Sequence, residues 1–163
     1  MKILFICSSN TCRSPYAEYM FRRMVGNSEV LCKNIESVSS SAVFNKSRSM
    51  HPKTRKCLID EGFSEAELDA FRPDYVWHDR SKFDEADIII GMGYLQNIFL
   101  PPKYHKKYKL LSEAAIGKKV NIPDPFYRKS DEYYKDVMNM IKTFLTVYAE
   151  KLESEFSATD KKN

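Results

Sequence analysis

The residues that most restrict this chain lie at its start, where Lys2-Ile3-Leu4-Phe5-Ile6 forms a nearly unbroken apolar run and Ser14-Pro15 opens a helical repeat shortly after it. A short run without polar alternation suits a strand covered on both faces, as in the middle of a parallel sheet. Ser14 offers a capping hydroxyl and Pro15 a preset helical φ. Ala17, Met20, Phe21, Met24 and Val25 then follow at helical spacing up to Gly26. Strand, loop and helix in that order predict an open α/β layer fold with right-handed crossovers, whose ligands sit beyond the carboxyl ends of the strands. That rule points to the loop beginning at Cys7.

The pattern repeats along the chain. Ile35 to Ser39 is read as a strand, Pro52 to Glu61 as a helix closed by Gly62, Ala86 to Ile90 as a buried strand and Tyr108 to Leu111 as a fourth strand. Tyr134, Val137, Met138, Ile141, Phe144, Leu145 and Tyr148 share one stripe between Asp131 and Leu152, which predicts a long helix; the residues after about Glu153 read as a frayed polar tail. Arg72 to Phe83, charged and containing Pro73, is read as a surface loop. Nothing of linker or repeat character divides the chain, so residues 1–163 are expected to form a single domain.

Composition narrows the function. Hydrophobic residues make up 43%, enough for a core, and 26 Lys and Arg against 22 Asp and Glu leave a net charge of only +4. That excess calls for no nucleic acid and suits a small anionic substrate. No apolar run approaches the roughly 20 residues of a membrane span, and no cleavage signal follows Met1-Lys2, so a cytoplasmic location is expected. There Cys7, Cys12, Cys32 and Cys57 stay reduced. His51, His78 and His105 stand apart from one another and from any cysteine pair; they are read as surface residues, with no metal site.

The chemistry concentrates in Cys7-Ser8-Ser9-Asn10-Thr11-Cys12-Arg13-Ser14. Small and turn-forming residues here can curl so that the main-chain N–H groups of Ser8, Ser9, Asn10, Thr11 and Cys12 converge on an anion, with the helix N-terminus adding its positive end. Arg13 supplies a planar guanidinium for two phosphate oxygens, and the same positive field favours a nucleophilic thiolate at Cys7. Asn10 tolerates a left-handed backbone. Ser14 can donate its hydroxyl to the Cys7 sulfur, and Cys12 is placed to trap an oxidised Cys7 as a disulfide. A monoester also needs a proton on its departing oxygen. In Ile122-Pro123-Asp124-Pro125-Phe126-Tyr127 two prolines stiffen the backbone around the acid, and Phe126 and Tyr127 can flank an aryl group.

These motifs resemble the low molecular weight protein tyrosine phosphatases, and the resemblance extends over most of the chain. It implies a four-stranded parallel sheet with helices on both faces and the phosphate-binding loop after the first strand. It also implies Cys7 as nucleophile, Arg13 as phosphate-binding arginine, Asp124 as general acid and base, Ser14 and Asn10 as supporting groups, and Ser40 as the serine behind the loop. The chain departs from the family pattern at Ser9, where a glycine is usual, at Gly93, where an aspartate is usual, and at Phe126, which replaces the first of two tyrosines. The supporting histidine expected near Asp69 is missing.

The expected reaction needs neither metal nor organic cofactor. Its partners are phosphotyrosine-containing proteins or peptides, with inorganic phosphate as product and competitive ligand; a monomer is expected. Thr11 keeps a phosphoarginine phosphatase open as an alternative, and a non-catalytic phosphate-binding or redox-sensing module is a second. An arsenate reductase of the same fold needs further cysteines late in the chain, and none follows Cys57.

Overall fold

The computed structural model describes residues 1–128 and 130–160. Its sheet is the parallel one expected from the apolar first strand. β1 (Lys2–Cys7) lies between β2 (Ser37–Ala42) and β3 (Ile88–Gly91), with β4 (Tyr108–Leu110) beyond β3, giving the order β2-β1-β3-β4. All pairings are parallel, and the register sets Phe5 between Ser40 and Ile90. The helices are α1 (Arg13–Gly26), α2 (Glu29–Asn34), α3 (Pro52–Asp60), α4 (Glu65–Asp69), α5 (Ser81–Glu85), α6 (Tyr94–Phe99), α7 (Leu111–Ile116) and α8 (Asp131–Asp160).

Alternate side chains of β1 serve two cores, as the period of a strand requires. Ile3, Phe5 and Cys7 join residues of α1, α3, α7 and α8, among them Met20, Phe21, Leu58, Leu111, Met138 and Leu145. Leu4 and Ile6 meet Val43, Val76, Phe83, Ile89, Leu100 and Tyr104 on the other face. The sheet is therefore covered on both sides. Because β1 connects outward to β2 on one side and β3 to β4 on the other, the connections leaving the two inner strands run to opposite sides beyond their carboxyl ends, which is where doubly wound sheets hold ligands. Cys7 ends β1 at that point.

Several sequence readings are corrected. The second strand runs Ser37–Ala42 rather than Ile35 to Ser39: Ile35 is held at the end of α2 through its N–H to Leu31 O at 2.7 Å, and pairing begins at Lys2 with Ser37. The segment Arg72 to Phe83 is not all surface loop. Ala42 bridges to Tyr75, Val76 and Phe83 are fully buried, and Phe83 lies on α5, a helix of five residues and too short to show a period. The tail is helical to Asp160, with Leu152 buried and Phe156 packed on the first core. No glycine or proline interrupts residues 131–160, so a polar composition there did not mean fraying.

Candidate active site

Asn10 is the one non-glycine among the described residues with positive φ, at 53°. This left-handed turn costs an ordinary residue roughly 1–2 kcal/mol and is held here by three hydrogen bonds. Its Oδ1 accepts from Asp74 N at 2.9 Å, and its Nδ2 donates to Ser14 Oγ at 3.0 Å and to Ser40 Oγ at 2.7 Å. The loop carbonyls are tied down from outside: Cys7 O accepts from Val43 N, Ser8 O from Phe44 N and Asn45 N, and Thr11 O from His51 N at 3.0 Å. Among the described residues, none of the N–H groups of Ser8, Ser9, Asn10, Thr11 and Cys12 donates to a protein acceptor. A tight loop with several unpaired main-chain donors ahead of a helix is a nest for an anion.

Of the two jobs expected of Ser14, capping α1 and bonding the Cys7 sulfur, the structure shows the second. Ser14 lies inside α1, whose first flanking residue, Cys12, makes no side-chain cap. Its hydroxyl instead donates to Cys7 Sγ at 3.1 Å, both groups being buried. Arg13, 5% exposed, donates from Nη1 to Ile122 O at 3.1 Å and from Nη2 to Asp124 Oδ2, while its Nε is buried without a partner. The structure thus brings Cys7, Arg13 and Asp124 into one cleft of about 740 Å³. Asp124 also caps its own 3-10 turn, accepting from Phe126 N through Oδ1 at 3.1 Å. That turn displays Phe126 and Tyr127 at the rim, 67% and 84% exposed.

The remaining walls were not foreseen. Phe44 and Phe99 pack together with centroids 4.5 Å apart on one side of the cleft, with Leu95 beside them. His51, expected as a surface residue, lines the cleft, stacks on Tyr134 at 5.4 Å and meets the edge of Phe126 at 6.3 Å. Burial and then Lys53 hold its ring below the ordinary histidine range, so the neutral form is favoured. Burial raises the Cys12 thiol above the usual cysteine value, against the opposing contacts with Thr11 and Tyr134. Thr11 Oγ1 lies 3.5 Å from Cys12 Sγ. Ser9, the residue in place of a glycine, turns its hydroxyl toward Asn45 Nδ2 at 3.4 Å. Ser40 stands behind the loop as expected, its hydroxyl 2% exposed and donated to Glu18 at 2.5 Å. Glu18 lies only four residues past Ser14 on α1, but its contact with Ser40 across the fold is what reveals it, and Asp74 is far from the loop motif in sequence.

The low molecular weight phosphotyrosine protein phosphatase family matches residues 2–158. The chain is similar to the low molecular weight protein-tyrosine-phosphatase PtpB of Staphylococcus aureus, 30% identical over 147 residues that span 86% of this chain and 94% of that protein. It is also similar to the pig low molecular weight phosphotyrosine protein phosphatase, 26% identical over 150 residues, 88% of this chain and 92% of that one. The fold superimposes on the crystal structure of a YwlE mutant from Bacillus subtilis with a TM-score of 0.79 at 25% identity, covering 93% of this chain and 98% of that one. The YwlE arginine phosphatase of Geobacillus stearothermophilus shares the fold at a TM-score of 0.78 and 24% identity, with 94% of each chain covered. With the match running across nearly its whole length, the chain belongs to the low molecular weight phosphotyrosine protein phosphatase family.

Proposed function

We propose that this phosphatase hydrolyses phosphotyrosine in proteins or peptides through a cysteinyl-phosphate, with Cys7 as nucleophile, Arg13 as phosphate holder and Asp124 as general acid and base. The observation that carries this reading is the shared cleft in which Ser14 donates to the Cys7 sulfur while Arg13 holds the Asp124 carboxylate. Substrate phosphate takes over the Arg13 guanidinium and the loop N–H groups, which releases Asp124 from its ion pair; the freed carboxylate takes up a proton from the incoming phosphate monoanion and turns toward the leaving oxygen. The Cys7 thiolate attacks phosphorus, an S–P bond forms, the P–O bond to the phenol breaks and Asp124 protonates the phenolic oxygen. Water then attacks phosphorus as Asp124 takes its proton, the S–P bond breaks, and inorganic phosphate leaves while Cys7 returns as thiolate. The loop donors hold the non-bridging oxygens throughout. Phe126 and Tyr127 at the rim suit an aryl phosphate.

The same site supports a redox role. Peroxide converts the Cys7 thiolate to a sulfenic acid, releasing hydroxide, and the Cys12 thiol then displaces water to form the Cys7–Cys12 disulfide. All four cysteines are free in the structure, and no helix among the described residues is long and apolar enough to cross a membrane. The deciding experiment is turnover of para-nitrophenyl phosphate in chelator-treated buffer, beside phosphotyrosine and phosphoarginine peptides. The reading predicts hydrolysis of the first two. Preference for phosphoarginine would transfer the substrate class to that alternative, and phosphate binding without turnover would identify a non-catalytic module.

A further inference from the structure

Glu18 is a charged side chain that the reaction above does not use, and it is 6% exposed. It sits on α1 above the loop, where Oε1 meets Arg22 Nη2 at 2.7 Å and Oε2 accepts the Ser40 hydroxyl at 2.5 Å. A cavity of about 600 Å³ that shares no lining residue with the catalytic cleft reaches both Glu18 and Ser40.

The protons in this cluster can be assigned by counting donors. Asp74 N can only donate, so the Asn10 oxygen must face it and the Asn10 NH2 must face the two serines. One Asn10 hydrogen goes to Ser14 Oγ at 3.0 Å, the other to Ser40 Oγ at 2.7 Å. Each serine has one proton of its own and has just accepted one from Asn10. The Ser14 proton therefore goes to Cys7 Sγ at 3.1 Å and the Ser40 proton to Glu18 at 2.5 Å. The amide of Asn10 is held between two hydroxyls, each of which needs an acceptor beyond it.

We propose that Glu18 is a positioning residue for the Cys7 reaction, its carboxylate taking the Ser40 proton and so fixing the direction of the hydrogen bonds from Ser40 through Asn10 and Ser14 to the nucleophile. The proposal rests on the reading of Cys7 as nucleophile. With Glu18 ionised, Ser40 is free to accept from Asn10, and Asn10 keeps Ser14 aimed at sulfur. With Glu18 protonated, Oε1 still faces the Arg22 donor, so the new proton sits on Oε2 and points at Ser40 Oγ; the Ser40 proton is crowded out of its acceptor and the Asn10 turn loosens. Arg22 and Tyr19 from α1 and Lys82 from α5 face this carboxylate, and Arg23, Glu67 and Arg72 complete the charged lining of the cavity. Burial raises Glu18 above the usual carboxylate range, with Arg22 and Ser40 opposing.

The test uses a near-isosteric change. In Glu18→Gln the amide oxygen must take Arg22, which only donates, and this turns the amide NH2 onto Ser40 Oγ, which already accepts from Asn10. The expected result is a kcat lowered about five- to tenfold with KM changed less than about twofold. Ser40→Ala removes the link, so adding Glu18→Gln to it should lower kcat no further. A kcat for Glu18→Gln within about twofold of wild type, or the same loss repeated in the Ser40→Ala background, overturns the proposal. Should Glu18→Gln fail to fold, the pH profile decides: wild-type kcat carries an acid-side ionisation that Ser40→Ala lacks, and profiles that superimpose after scaling overturn it. A wild-type protein without phosphatase activity defeats the underlying reading instead, which separates the two failures.

Discussion

On the proposed mechanism, Asp124 occupies in the free protein the place that substrate phosphate must take, because its Oδ2 rests on the Arg13 guanidinium. Removing its charge therefore has two opposite effects. Asp124→Asn should slow kcat strongly for phenolic substrates with poor leaving groups and little for activated aryl phosphates, which a leaving-group series measures. The same variant should bind inorganic phosphate about three- to tenfold more tightly as a competitive inhibitor, since an anionic competitor has left the arginine. Equal losses across the series, or weaker phosphate binding, would remove Asp124 from both positions. Cys7→Ser should lose at least about a thousandfold in kcat and keep its phosphate site. The sequence made this layer legible because Cys7, Asn10, Arg13 and Ser14 are neighbours in one loop whose chemistry their spacing shows. Glu18, His51 and Asp74 were hidden for the opposite reason, since each acts through a partner tens of residues away.

At the scale of elements, α3 is tied to the cleft by its N-cap. The neutral His51 ring accepts from Lys53 N through Nδ1 at 3.2 Å and stacks on Tyr134 of α8, which in turn shares a 2.6 Å hydrogen bond with Thr54 of α3. His51 is held below the ordinary value of 6.5 by burial and by Lys53. As pH falls through 6.5, the unfolded chain takes up a proton that the folded one refuses, so the stability present above that pH is progressively lost. His51→Ala should cost about 1 kcal/mol at neutral pH. Thermal unfolding should show its gap to wild type narrowing on acidification; a gap that widens contradicts the cap. Deleting the residues after Glu153 should cost about 1 kcal/mol through loss of the Phe156 packing, and an unchanged midpoint would return that segment to the frayed tail. The long stripe of α8 and the apolar run of β1 were readable because each repeats one period over many residues. β2 was placed too early because Ser37–Ala42 carries serines where a strand usually alternates; its pairing with β1 decides its position. α5 escaped because five residues hold too little of a period to read.

Across the whole molecule, the order β2-β1-β3-β4 explains why a single short loop carries so much of the chemistry. The sheet buries β1 on both faces, so the Cys7 end is anchored by two cores, and the cleft opens beyond that end, where the connections from β1 and β3 part to opposite sides. The fold class and the position of the cleft followed from the first strand, loop and helix alone, whereas the apolar wall of Phe44, Leu95 and Phe99 required the tertiary fold to bring α6 beside the loop. Phosphate bound in such a preformed site stabilises the folded state, and at a hundred times its dissociation constant it should add about 2.7 kcal/mol to unfolding, read as a rise in midpoint that Arg13→Lys abolishes. The most direct test of the account is chemical trapping of the intermediate. Wild-type enzyme mixed with an aryl phosphate, quenched within its first turnovers and digested under conditions that preserve the S–P bond, should carry a phosphoryl group on the peptide containing Cys7. An active enzyme whose phosphoryl group is found on another residue, or which turns over with no covalent intermediate, contradicts it.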